Sequence, residues 1–171
     1  EELKDRIKTV LSLTKKEAED LFYFTASKQG KDVKAKSLDQ LSDNTRKAYS
    51  EIRSVVRELY PEVKKVALKN GREIGEVENY SPLYTSDDYK LLDVGGFDFT
   101  RKDPFFGSIK ERVEDVPIEL YEKDYRKVME AWINGVSRYI NVGSRTLPIK
   151  YLIDSLELQE IAGKDVHSKL N

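Results

Sequence analysis

The chain has no cysteine. Disulfides, thiolate nucleophiles and cysteine-ligated zinc are therefore excluded. It has one histidine, His167, close to the C-terminus. A multi-histidine metal site cannot be built, and a Ser-His-Asp triad would have to recruit a residue that reads as solvated tail. No apolar run approaches the ~20 residues of a membrane span, and no signal peptide is visible. An excess of one charge sign is missing too: 30 Lys and Arg against 31 Asp and Glu leave a net charge of -1. That argues against a strongly basic nucleic-acid binder, though not against a local patch. The glycines form no phosphate-binding loop of P-loop or dinucleotide type, because Gly71 and Gly75, and Gly95 and Gly96, have the wrong spacing and context.

What is present points to helices. A charged fraction of 36% beside a hydrophobic fraction of 39% suits slender helices with wide solvated faces better than a thick α/β core. The length of 171 residues allows one domain, or one domain with a loosely attached arm, and can bury a real core. The chain opens Glu1-Glu2-Leu3 without methionine, as a piece of something longer would.

Leu3, Ile7, Val10 and Leu11 stand at helical spacing and predict a first helix over the opening dozen residues. Thr14 and Glu17 have the capping-box spacing. The helix they open carries Ala18, Leu21, Phe22 and Ala26 towards a C-terminal cap at Gly30. Residues 31–40 read as a connection. From about Asp43 the longest stripe begins, with Ala48, Ile52, Val55, Val56, Leu59, Tyr60, Val63, Val66 and Ala67. Pro61 lies inside it and predicts a kink, since the stripe continues in phase beyond. Asn70-Gly71 ends it. A second strong stripe runs from Tyr121 through Tyr125, Trp132 and Tyr139 to Gly143. Pro148 opens a last helix over Ile149, Leu152, Ile153 and Leu156, closed by Gly163.

Between the two long stripes lies an irregular middle. Its key segment is Val77-Glu78-Asn79-Tyr80-Ser81-Pro82, too rich in turn formers for a helix. Further on, Phe97 and Phe99 alternate with Asp98 and Thr100, and Ser108 to Val113 suggests a partner strand, so a small hairpin is expected.

Candidate chemistry is sparse, and each feature has a plain counterpart. Glu76 and Glu78 alternate as a carboxylate pair or a divalent-metal site would require, but also as a solvated acidic turn. Arg53, Arg57, Lys64 and Lys65 lie on the long helix and offer phosphate contacts; acids interspersed at helical spacing favour pairing instead. Arg101, Lys102 and Lys110 flank Phe105 and Phe106, a pattern that stacks single-stranded nucleic acid or simply plugs a core.

The order of features resembles a helical module of large polyvalent and virion-associated proteins of tailed bacteriophages. The resemblance covers roughly residues 45 to 142. It rests on a glycine followed by Glu78-Asn79-Tyr80-Ser81-Pro82, a downstream Lys110-Glu111-Arg112, and a helix from Tyr125 to Ile140. It implies a non-catalytic module, packaged in the particle and delivered with the DNA, without a cofactor. Its partners would be other domains of a larger phage protein or other virion proteins, and its location the virion and then the host cytoplasm. Glu78, Asn79, Tyr80, Pro82 and Arg112 would form the structural motif: Tyr80 and Pro82 pin the chain over the helices, Asn79 bonds local backbone, and Arg112 pairs with Glu78 or reaches a helix end.

The expected fold is mainly α, an irregular bundle of about five helices with a small β-hairpin between the long central ones. An N-terminal helical hairpin or arm spans 1–42, a helical core 43–163 carries the motif segment 71–113, and 164–171 is a tail. The leading function is a phage structural or interaction domain. The alternatives are a nucleic-acid module using the basic helix 44–72 and the 101–112 loop, and a fragment of a carboxylate- or metal-dependent enzyme.

Overall fold

Helical periodicity in the sequence becomes five α-helices among the described residues of a computed structural model, which describes residues 2–69, 73, 75, 78–85, 116–143 and 156. They are α1 (Glu2–Asp5), α2 (Lys8–Leu11), α3 (Lys15–Lys28), α4 (Asp43–Lys69) and α5 (Tyr125–Gly143), with single 3-10 turns at Leu38–Gln40 and Ile118–Leu120. Leu156 is also helical, and exposed. The rest of the expected last helix lies outside the described residues, as does the hairpin expected over 97–113. Among the described residues the β pairing is one isolated antiparallel bridge between Thr85 and Tyr121. No helix of the described residues is long and apolar enough to cross a membrane.

The single opening helix expected from Leu3 to Leu11 is two short ones. Ile7, between them, has φ -114 and ψ 25, outside the helical region. The break brings Thr9 to α4, where the Glu51 carboxylate accepts both the Thr9 N–H and the Thr9 hydroxyl. A side chain thus meets one of the N–H groups that a helix start leaves open.

The two caps of α3 follow the sequence closely. The Thr14 hydroxyl accepts the Glu17 N–H at 3.3 Å, and the Glu17 carboxylate accepts the Thr14 N–H at 2.9 Å. These bonds, the backbone one first and then that from Ser42, hold the Glu17 carboxyl below its ordinary pKa. At the other end Gly30 has φ +80. Its N–H reaches the Ser27 carbonyl, and the Lys31 N–H reaches that of Ala26. This is the paired closure that a left-handed residue makes possible. Ser42 then starts α4, its hydroxyl accepting the Thr45 N–H at 3.1 Å.

α4 runs through Pro61 without a break. Proline removes one helical hydrogen bond, at a cost of ~3 kcal/mol in a helix interior. Leu59 and Val63 flank it on one face and are both buried, as is Val66 beyond. Burying each such side chain returns about 1.5–3 kcal/mol, enough to keep the helix continuous.

The buried face of α4 packs on α2, α3 and α5, and α5 also meets α1, α2 and α3. One hydrophobic cluster results. It joins Ile7, Val10, Leu13, Leu21 and Phe22 of the N-terminal hairpin to Ile52, Val55 and Leu59 of α4 and to Val128, Trp132 and Tyr139 of α5. Residues 1–42 thus supply side chains to the same core as the two long helices.

Candidate functional site

The segment from Glu78 to Thr85 crosses the helices as an extended strap, and its backbone is held by their side chains. Glu78 and Asn79 form an exposed turn, with Asn79 at φ 57, a left-handed conformation that asparagine tolerates. The chain then goes inward: Tyr80, Ser81 and Pro82 are buried, Leu83 is half-buried, and Tyr84 is fully buried.

Three successive carbonyls of the strap each meet a donor from a different helix or helix end. Arg53 Nη1 of α4 donates to the Tyr80 carbonyl at 2.7 Å. Gln29 Nε2, at the C-cap of α3, donates to the Ser81 carbonyl at 2.9 Å. The Tyr125 hydroxyl of α5 donates to the Pro82 carbonyl at 3.0 Å. Two residues on, the Glu122 N–H donates to the Tyr84 carbonyl at 2.9 Å. A buried carbonyl without a donor is costly, so the strap can enter the core only where such groups await it. Pro82 fits this arrangement because it has no N–H to satisfy.

Aromatic rings fill the space around the strap. Tyr80 lies against Tyr60 with ring centroids 5.6 Å apart, and the Tyr60 hydroxyl donates to the Gly75 carbonyl. Burial pushes the Tyr80 phenol above its ordinary pKa. Burial likewise raises the Tyr125 phenol. Both stay protonated through the neutral range. The Tyr125 hydroxyl serves as a donor, and both rings serve as packing surface.

A second polar device fixes the start of α5. The Arg126 guanidinium grips the Asp124 carboxylate at 2.8 and 2.7 Å while its Nη1 donates to the Leu13 carbonyl at 2.9 Å. Asp124 also accepts the Arg126 N–H at 3.2 Å, as a helix cap does. The hydrogen bond from Arg126 holds the Asp124 carboxyl below its ordinary pKa. The pair ties α5 to the joint between α2 and α3.

The outer face of α4 is a separate feature. Ser50, Arg53, Ser54, Arg57 and Glu58 line a concavity of about 470 Å³. Arg57 is exposed, and Arg53 is half-buried by its bond to the strap. Glu58 pairs with Arg6, whose hydrogen bond lowers the Glu58 carboxyl pKa.

The residues singled out in the sequence are thus distributed over different environments. Tyr80 and Pro82 are interior, and Glu78 and Asn79 mark the exposed turn before them. No Asn79 side-chain hydrogen bond is seen among the described residues. Arg53 and Arg57 share one groove, Lys64 is half-buried, and Lys65 is exposed and paired with Glu62 at 2.8 Å. Arg101, Lys102, Phe105, Phe106, Lys110 and Arg112 lie outside the described residues, and so does any pairing of Arg112 with Glu78. Gln29, Asp124 and Arg126 were not foreseen. Asp124, just before a strong stripe, carries a cap signal; nothing local to Gln29 announces its reach to Ser81.

Among the described residues, no group of three or more Asp, Glu, His or Cys side chains is placed to hold a metal ion. No family model matches the chain, and neither a curated protein nor a solved structure matches it.

Proposed function

We propose that this chain is a non-catalytic structural and interaction module, of the kind that the resemblance to phage virion-associated and polyvalent proteins implies. The observation that carries this reading is the capture of three consecutive strap carbonyls by Arg53, Gln29 and Tyr125. Polar side chains of the helices are turned onto the backbone of the most distinctive segment of the sequence. The phenols beside them are raised in pKa by burial, which suits a fixed tether and not proton transfer. The exposed surface of the two long helices is then what remains for partners.

Mass spectrometry of particles from the phage that encodes the chain, purified through a density gradient, tests this. Peptides of this chain should band with the particles in fixed ratio to the capsid protein. Their confinement to the soluble lysate contradicts the virion assignment.

A further inference from the structure

Ser50, Arg53, Ser54 and Arg57 follow one another at the three- and four-residue spacing that puts side chains on one helix face. Together with Glu58 they line the same concavity of about 470 Å³. The charge there is not balanced from within the groove. Glu58 faces Arg6, which approaches from the N-terminal hairpin and offsets its carboxylate. Arg53 spends one N–H on a neutral carbonyl and keeps its full charge. Among the described residues, Arg57 has no ion pair. Two arginines and two serines therefore line an open space whose one carboxylate, Glu58, is already paired with Arg6.

We infer that this groove is a site for a phosphate dianion, either free or as a phosphomonoester. Arginine forks present paired N–H donors that match the oxygens of an oxyanion. Two of them beside two hydroxyls supply more donors than a planar carboxylate can accept, whereas a tetrahedral phosphate has oxygens for all of them. The charge of the two guanidiniums matches a monoester, which carries close to two negative charges above its second pKa of about 6. A diester carries one. The volume exceeds that of a bare phosphate and leaves room for the group attached to it. The inference rests on the α4 face alone and does not depend on the virion reading.

The test is an amide chemical-shift titration of the full chain with sodium phosphate at pH 7.5, with ionic strength held constant by sodium chloride. Saturable shifts centred on Ser50, Arg53, Ser54 and Arg57 are expected. They should weaken at least tenfold in Arg57→Gln and partly recover in Arg57→Lys. Binding should also weaken several-fold at pH 5.5, where the phosphate takes up a proton. Phosphoserine as titrant should reproduce the pattern if an attached group is accommodated, and inorganic phosphate alone should bind if the free ion is the ligand. Either pattern supports the site. Absence of saturable shifts with both titrants overturns it, and so do shifts that Arg57→Gln leaves unchanged. An oligothymidylate without terminal phosphates should compete poorly. Equal competition per phosphate overturns the monoester assignment and transfers the groove to nucleic-acid backbone.

Discussion

The Arg53 guanidinium and the Tyr80 carbonyl, 27 positions apart in sequence, meet at 2.7 Å. This bond joins the most regular part of the chain to the least regular. It shows why the strap adopts one path: its backbone enters the core where a charged donor is already in place. Arg53→Met keeps most of the apolar stem and removes that donor. Chemical denaturation should show a loss of about 1–3 kcal/mol, the usual cost of stranding a part-buried acceptor. Arg53→Lys should recover only part of it, because an ammonium lacks the planar fork.

Tyr125→Phe isolates a second tether. The ring remains, and the Pro82 carbonyl loses its donor in a fully buried setting. A loss of about 1–3 kcal/mol is expected from the same measurement. Tyr60→Phe is the control, since its bond to Gly75 is exposed and water can replace it. That change should stay within about 0.5 kcal/mol.

How much of this was legible in the sequence differs from element to element. The Thr14 and Glu17 cap, the Gly30 terminus and the stripes of α4 and α5 are local patterns, and local patterns survive into the fold because their physics is local. The continuity of α4 through Pro61 follows from the stripe staying in phase, with Leu59 and Val63 buried on either side. The break at Ile7 is followed by a contact that no local pattern announces, since Glu51 lies 42 positions from Thr9. The same limit applies to the site. Tyr80 and Pro82 stand out as residue types, but their donors come from Gln29, Arg53 and Tyr125, which read as a helix end, a basic face and a core stripe.

Alkaline stability tests the buried phenols. Burial raises the pKa of Tyr80 and Tyr125 in the folded chain, while the unfolded chain ionises both at about pH 10. Their contribution is complete below that pH and is lost as pH rises towards the folded values. Each should subtract about 1.4 kcal/mol per pH unit above about pH 10. Absorbance of tyrosinate should show both rings ionising only with global unfolding. A smooth titration of all ten tyrosines at pH 10 in the folded protein would exclude this.

Acid acts through the opposite sign at Asp124. Its carboxyl is depressed in the folded chain by Arg126, so its stabilising effect is full above about pH 4, the unfolded value, and disappears as pH falls through the lower folded one. Asp124→Asn should lower the melting temperature at pH 7 and flatten its dependence on pH below 4. An unchanged acid limb would show that the ion pair is not coupled to folding.

Amide hydrogen exchange at Glu122, whose N–H is bonded to the Tyr84 carbonyl at 2.9 Å, tests most directly whether the strap is locked into the core. If it is, this amide opens only with the whole domain, and its exchange free energy should match that of a core amide such as Val56 within about 1 kcal/mol. Exchange at the rate of an open loop, with Val56 still protected, would mean that the strap lifts off by itself and that its tethers do not hold the two long helices together.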